Sequence, residues 1–248
     1  MSSKRGTTGL ILRREFGSYF ATPLAYVFLL VYLLLSNLFT FYLGGFFERG
    51  QADLAAFFGY QPWLFLFLVP AISMRLWAEE RRSGSIELLL TLPVTPWQAV
   101  WAKFLAAWAF VALALALTFP LWLTVNWLGH PDNGAILAGY AGCLLLAGAL
   151  LSLSSLASAL TRNPVVAFIV AVALCFVFLL AGYPLVLDAV RGWAPQAVVD
   201  AVASLGLLTH FEALSKGVID LRDLLYFALV GYWFLLATVA ALSSRKSA

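Results

Sequence analysis

Six stretches of this chain run for 20 to 27 residues without one Asp, Glu, Lys or Arg, and no other feature constrains the fold as tightly. They are Pro23–Leu43, Ala55–Met74, Phe104–Leu128, Ala135–Thr161, Pro164–Leu187 and Leu224–Ser244. A helix needs about 20 apolar residues to cross roughly 30 Å of hydrocarbon. Helices suit that setting because their backbone N–H and C=O groups are satisfied within the segment. Only 11% of the 248 residues are charged and 63% are hydrophobic, whereas about a quarter of a soluble domain is charged. The chain therefore reads as an all-α, polytopic membrane protein, one transmembrane domain over residues 1–248. Its six transmembrane helices extend over about 23–43, 55–77, 98–128, 135–161, 164–187 and 221–244. Pro62, Pro70, Pro120 and Pro184 fall inside these helices as kinks that buried helices tolerate.

The positive charges set an orientation. Lys4, Arg5, Arg13, Arg14, Arg75, Arg81, Arg82, Lys103, Arg162, Arg245 and Lys246 lie on one side, and only Arg49, Arg191, Lys216 and Arg222 on the other. Segments rich in Lys and Arg stay cytoplasmic, so both termini are expected there. The formal net charge of +3 is then a topology signal and does not point to nucleic acid. "LRREF" at 12–16 has the paired arginines of an export signal, but the following apolar run is too long for one. Residues 9–20 read instead as an interfacial helix, with Leu10, Ile11, Phe16, Tyr19 and Phe20 toward lipid and Arg13, Arg14 and Glu15 toward water. Cys143 and Cys175, both inside spans, read as small packing residues.

Between the second and third spans stands "RLWAEERRSGSIELLLTLPVTPWQAVWAKF", residues 75–104. Its alternating charges permit local pairing, Glu79 with Arg82 for one. Gly84 breaks the helix because it tolerates dihedrals that other residues avoid. Ser85 is a cap candidate for a short apolar helix with Glu87 in its first turn, which Pro93 stops. Thr95, Pro96 and Gln98 then form a capping-box pattern that starts the next helix. The short helix places Ile86, Leu88, Leu89, Leu90 and Leu92 outside the bilayer. Those side chains either lie in the headgroups as an anchor or fill a groove on a soluble partner.

This run resembles the signature of ABC-2 type permeases, in the gliding-motility-type branch. "HFEALSKGVIDLRDLLYF" at 210–227 is similar to that branch's sequence before its last span. The resemblance implies that the loop at 79–97 docks on a separate ATP-hydrolysing subunit as a coupling helix. Carried over by residue, it assigns Glu79, Glu80, Arg81, Arg82, Gly84, Ile86, Glu87, Leu88 and Leu89 to that coupling region, with Gly84 as the pivot. It also implies a second permease subunit, identical or not, and a bacterial inner-membrane location.

The chain lacks the phosphate-cradling G-x-x-x-x-G-K-[ST] loop, so ATP and Mg are expected in the partner ATPase and no cofactor here. With no carboxylate, histidine or zinc motif in the spans, neither a catalytic residue nor a metal site is expected, and an ion-coupled secondary transporter is disfavoured. Ser152, Ser154, Ser155 and Ser158 read as close-packing residues of the fourth span. Phe57, Phe58, Tyr60 and Trp63 read as an aromatic belt on the second.

On the outer side, Pro195 is read as starting one helix, and Thr209 with Glu212 as capping another that Gly217 closes. Asp220 and Asp223 are read as capping the last span. These form short re-entrant helices, and the resemblance places an outer gate there with Phe211, Glu212, Leu214, Gly217 and Asp220. His130 and His210 read as solvated or capping residues. The expected function is the permease of an ATP-driven exporter, with a lipid-linked or amphipathic cargo favoured by uncharged spans. The branch resemblance also admits a mechanical or assembly complex that drives a periplasmic or surface partner without net transport.

Overall fold

The computed structural model describes residues 3–85, 95–192 and 194–244, with side chains from residue 9 onward. Among them there is no strand. The helices are α1 (Ser3–Phe20), α2 (Pro23–Leu38, continued by a π-helical turn Phe39–Leu43), α3 (Phe46–Arg49), α4 (Ala55–Ser73) and α5 (Arg75–Ser83). After the loop come α6 (Pro96–Ala116), α7 (Phe119–Leu128), α8 (Asn133–Leu160), α9 (Pro164–Leu180), α10 (Pro184–Arg191), α11 (Gln196–Ser204), α12 (Leu207–Ser215) and α13 (Leu221–Ser243).

The hub is α8. It packs against α4, α5, α6, α9, α12 and α13, and its small residues explain how so many helices fit. Gly139 faces the Phe58 ring and Gly142 faces Phe211 and Leu214 at distances that leave no room for a side chain. Cys143 and Cys175 are fully buried and unpaired, as packing residues should be. Local start signals act where the sequence places them. Thr95 Oγ1 accepts from the Gln98 amide while the Thr95 amide donates to Gln98 Oε1, completing the capping box of α6. Asp132 and Asn163 cap α8 and α9 more simply, their side-chain oxygens accepting from first-turn amides.

Among the described residues, five helical runs are long and apolar enough to cross a membrane: Pro23–Arg49, Ala55–Ser83, Pro96–Leu128, Asn133–Leu160 and Leu221–Ser243. The fifth window of the sequence is not straight, because α9 and α10 meet at 83°. Tyr183, preceding Pro184, is pushed out of the helical region (ψ 137°), and the proline opens a new helix at its first position. A second pair, α11 and α12, is bent by 51°. Counting each bent pair as one span gives up to seven.

Two expectations about surfaces are corrected. Phe57 and Phe58 are 1% and 2% exposed and pack around Tyr140, Phe58 edge-on and Phe57 tilted, so they belong to the core rather than to a lipid-facing belt. The α1 helix also starts earlier than residue 9, and the aromatic side chains expected to face lipid turn toward the protein. Its Tyr19 stacks on Phe110 of α6 at 5.2 Å, with Phe16 and Phe20 packed against the same core. Aromatic area is better buried against protein than left at the surface, and α6 offers the matching face.

Candidate coupling site

Three elements converge on one buried cation. Lys103, two turns into α6, is 3% exposed. An ammonium group is tolerated in such a place only where carboxylates or other acceptors replace its water. Its Nζ lies 3.0 Å from Glu15 Oε2 of α1 and 2.7 Å from Glu80 Oε1 of α5. The Trp77 ring, 5.4 Å away, adds a cation–π contact. The helix that leaves the loop, the helix that enters it and the N-terminal helix are thus tied at a single point.

The base of α5 is also fastened to the hub. Ser158 Oγ accepts the amides of both Trp77 and Ala78 at 3.1 Å and donates to the Met74 carbonyl at 2.9 Å. In an unbroken helix those amides would serve the carbonyls of Ser73 and Met74. The inserted hydroxyl therefore accounts for the joint between α4 and α5. Trp77 Nε1 donates to Ser155 Oγ at 3.1 Å, and the Arg81 guanidinium donates to the Ala159 carbonyl. The serines of α8 pack closely, as read, but two of them also hold the neighbouring helix by name.

Beside Lys103 the α1–α2 elbow stands off the α4–α5 joint and leaves an open cavity of about 320 Å³. Charged groups line one part of it, and Leu24, Phe28, Ile72 and Leu76 another. Burial, with Glu15 next to it, pushes the Tyr19 phenol well above its ordinary pKa, so Tyr19 stays neutral in this wall.

The charged run divides by face. Glu80 and Arg81 turn inward, as above. Glu79 and Arg82 are exposed, and Glu79 pairs with Arg75 at 3.6 Å rather than with Arg82. The i,i+4 spacing on one helical face favours that partner. Gly84 ends α5 in the left-handed region (φ +74°), the conformation its lack of a side chain permits. Ile86, Glu87, Leu88 and Leu89 lie outside the described residues.

At the opposite end, Phe211 and Leu214 of α12 are each 1% exposed and seat against Gly142. Glu212 is exposed and approaches Lys216 at 3.9 Å. The capping box expected of Thr209 and Glu212 does not form. The helix begins at Leu207 with Gly206 before it, so Thr209 lies inside and donates to the Gly206 carbonyl. Gly217 (φ +86°) follows the end of that helix, and Asp220 caps α13 through the Arg222 amide. Asp223 serves another purpose. Its Oδ1 is 2.7 Å from His210 Nδ1, and the imidazole stacks on Tyr226 at 4.0 Å. His210 is therefore a partner within the fold and not a solvated residue. His130 is exposed.

Residues 45–244, four fifths of the chain, match the family model described as ABC-2 family transporter protein. The chain belongs to the ABC-2 transporter family. It is accordingly a multi-pass membrane component of a transporter rather than an enzyme. A search of curated proteins finds no match.

As an ABC-2 protein the chain is matched from the start of α3 to the end of α13, and the match does not extend to the gliding-motility branch. Lys103 and Glu80 fall inside the matched stretch and Glu15 outside it. Sequence reasoning assigned Glu80 to the coupling region and Glu15 to a water-facing side of the N-terminal helix, and did not bring either together with Lys103. The available signal was a lone lysine shortly after a helix start, just ahead of an apolar window. It also missed Gln61, fully buried in α4, which accepts a hydrogen bond from the Tyr32 hydroxyl at 3.0 Å.

Proposed function

We propose that this ABC-2 protein is the membrane-spanning permease of an ATP-driven exporter of the bacterial inner membrane, with both termini cytoplasmic. It pairs with a second permease and draws on ATP hydrolysis in a separate nucleotide-binding subunit that docks on the loop between α5 and α6. The observation that supports this most directly is the Lys103 cluster. Both ends of that loop are tied to each other and to α1, and α5 is fastened to α8. A push on the loop therefore moves a braced unit instead of bending a free connection. Transmission of small shifts through packed, two-state elements is how such movements reach distant sites. The uncharged spans favour a lipid-linked or amphipathic cargo.

In this reading Glu79 and Arg82, which are exposed, contact the ATPase. The test is a complex reconstituted with a nucleotide-binding subunit that co-purifies with the wild-type chain, this chain carrying Glu79→Lys and Arg82→Glu together. The expected result is co-purification with weakened binding, basal ATPase activity retained and cargo movement lost, at unchanged thermal stability. Full cargo movement in that variant, or failure of the wild-type chain to bind any nucleotide-binding subunit, overturns the reading.

A further inference from the structure

We propose that the cavity between the α1–α2 elbow and the α4–α5 joint binds an amphiphile whose headgroup carries a primary ammonium beside a phosphate, the chemistry of an aminophospholipid. The proposal rests on the membrane reading above only for bringing a lipid leaflet within reach of the cavity.

Three features of the cavity select this class. The first is charge. Glu15, Glu79 and Glu80 line it against Arg75 and Lys103, three acids to two bases, so the wall carries one net negative charge. Anionic headgroups are disfavoured and a headgroup bearing a cation is favoured.

The second is an unmet bond. Lys103 occupies Glu80 through Oε1 at 2.7 Å, while the enclosed Glu80 Oε2 has no hydrogen-bond partner among the described residues. An enclosed carboxylate oxygen without a donor is costly, and an ammonium group carries three donors. Among the described residues no group of three or more acidic, histidine or cysteine side chains is arranged to hold a metal ion, so an organic cation is the fitting ligand. Arg75, half-exposed at the same wall and, among the described residues, approached by Glu79 at 3.6 Å, offers the complementary cation for a phosphate.

The third is the two-part lining. Beyond the charges the wall becomes Leu24, Ala25, Phe28 and Ile72, which suits the first carbons of an acyl chain and not a soluble amine. The volume of about 320 Å³ is at the lower end of the range for small-molecule sites, enough for a headgroup with the tails left in the bilayer.

The purified chain, placed without any ATPase in nanodiscs of equal phosphatidylethanolamine, phosphatidylcholine and phosphatidylglycerol, provides the test. Lipid retained through detergent exchange is identified by native mass spectrometry. Phosphatidylethanolamine should be retained roughly tenfold over phosphatidylglycerol, the size of effect expected from one charge-assisted hydrogen bond. Ala71→Phe, which fills the cavity without touching an ion pair, should abolish the preference, and Arg75→Gln should reduce it. Equal retention of the three headgroups, or a preference unmoved by Ala71→Phe, overturns the proposal. Stronger binding of soluble O-phosphoethanolamine than of the lipid overturns the amphiphile assignment too. Because nucleotide plays no part here, failure leaves the ATPase reading standing, and loss of that reading leaves this result interpretable.

Discussion

The two ends of the molecule are held by different chemistry. At the end with the charged loop, α1, α5, α6 and α8 are joined through Lys103, Ser158 and Arg81, by charge and by hydrogen bonds that cross from helix to helix. At the other end, α12 is seated by apolar contacts on α8, and the directional bonds are fewer: the His210–Asp223 pair and the Tyr226 hydroxyl, which donates to the Leu205 carbonyl. Directional bonds fix relative positions, whereas small residues pressed together allow sliding until a clash. The difference suits a body that receives force at one end and yields at the other.

The largest expected effect breaks the rigid end. Lys103→Met leaves Glu15 and Glu80 facing each other without a cation, and removing one partner of a buried set costs about 3–5 kcal/mol. The variant should lose most of its thermal stability in detergent, with partial recovery in the double variant Lys103→Met/Glu80→Gln. Next, Ser158→Ala removes the acceptor of the Trp77 and Ala78 amides and should cost about 1–3 kcal/mol. Hydrogen exchange should rise at Trp77 and Ala78, while Ser158→Thr should restore protection. Gly142→Val addresses the yielding end. Its added atom would meet Leu214 at 2.9 Å, so overpacking of about 1–3 kcal/mol is expected. The loss should appear as faster exchange in 207–215 with the loop end unaffected. His210→Phe should cost about 1 kcal/mol, again confined to α12 and α13. The smallest effect belongs to Glu79→Gln, an exposed pair that should change stability by less than about 0.5 kcal/mol. If Glu79→Gln proved as damaging as Lys103→Met, the contrast between inward and outward carboxylates would be wrong.

The helices were legible because lipid-length apolar runs and capping residues are local signals. Thr95–Gln98 and Gly84 do what their neighbours in sequence dictate. What the sequence concealed was partnership over distance. Glu79 and Glu80 are adjacent and chemically identical, yet one faces out and the other a lysine 23 positions later. Phe57 and Phe58 look like a belt until Gly139 opens a slot for the latter. His210 and Asp223 are separated by a turn and a helix start whose geometry no spacing rule supplies.

The hydroxyl of Ser158 has a consequence for motion. Straightening α4 into α5 would hand the amides of Trp77 and Ala78 back to the carbonyls of Ser73 and Met74, and bending would return them to the serine. The same two donors have an acceptor in either arrangement, so the joint is able to flex without leaving those amides unmet at its end points.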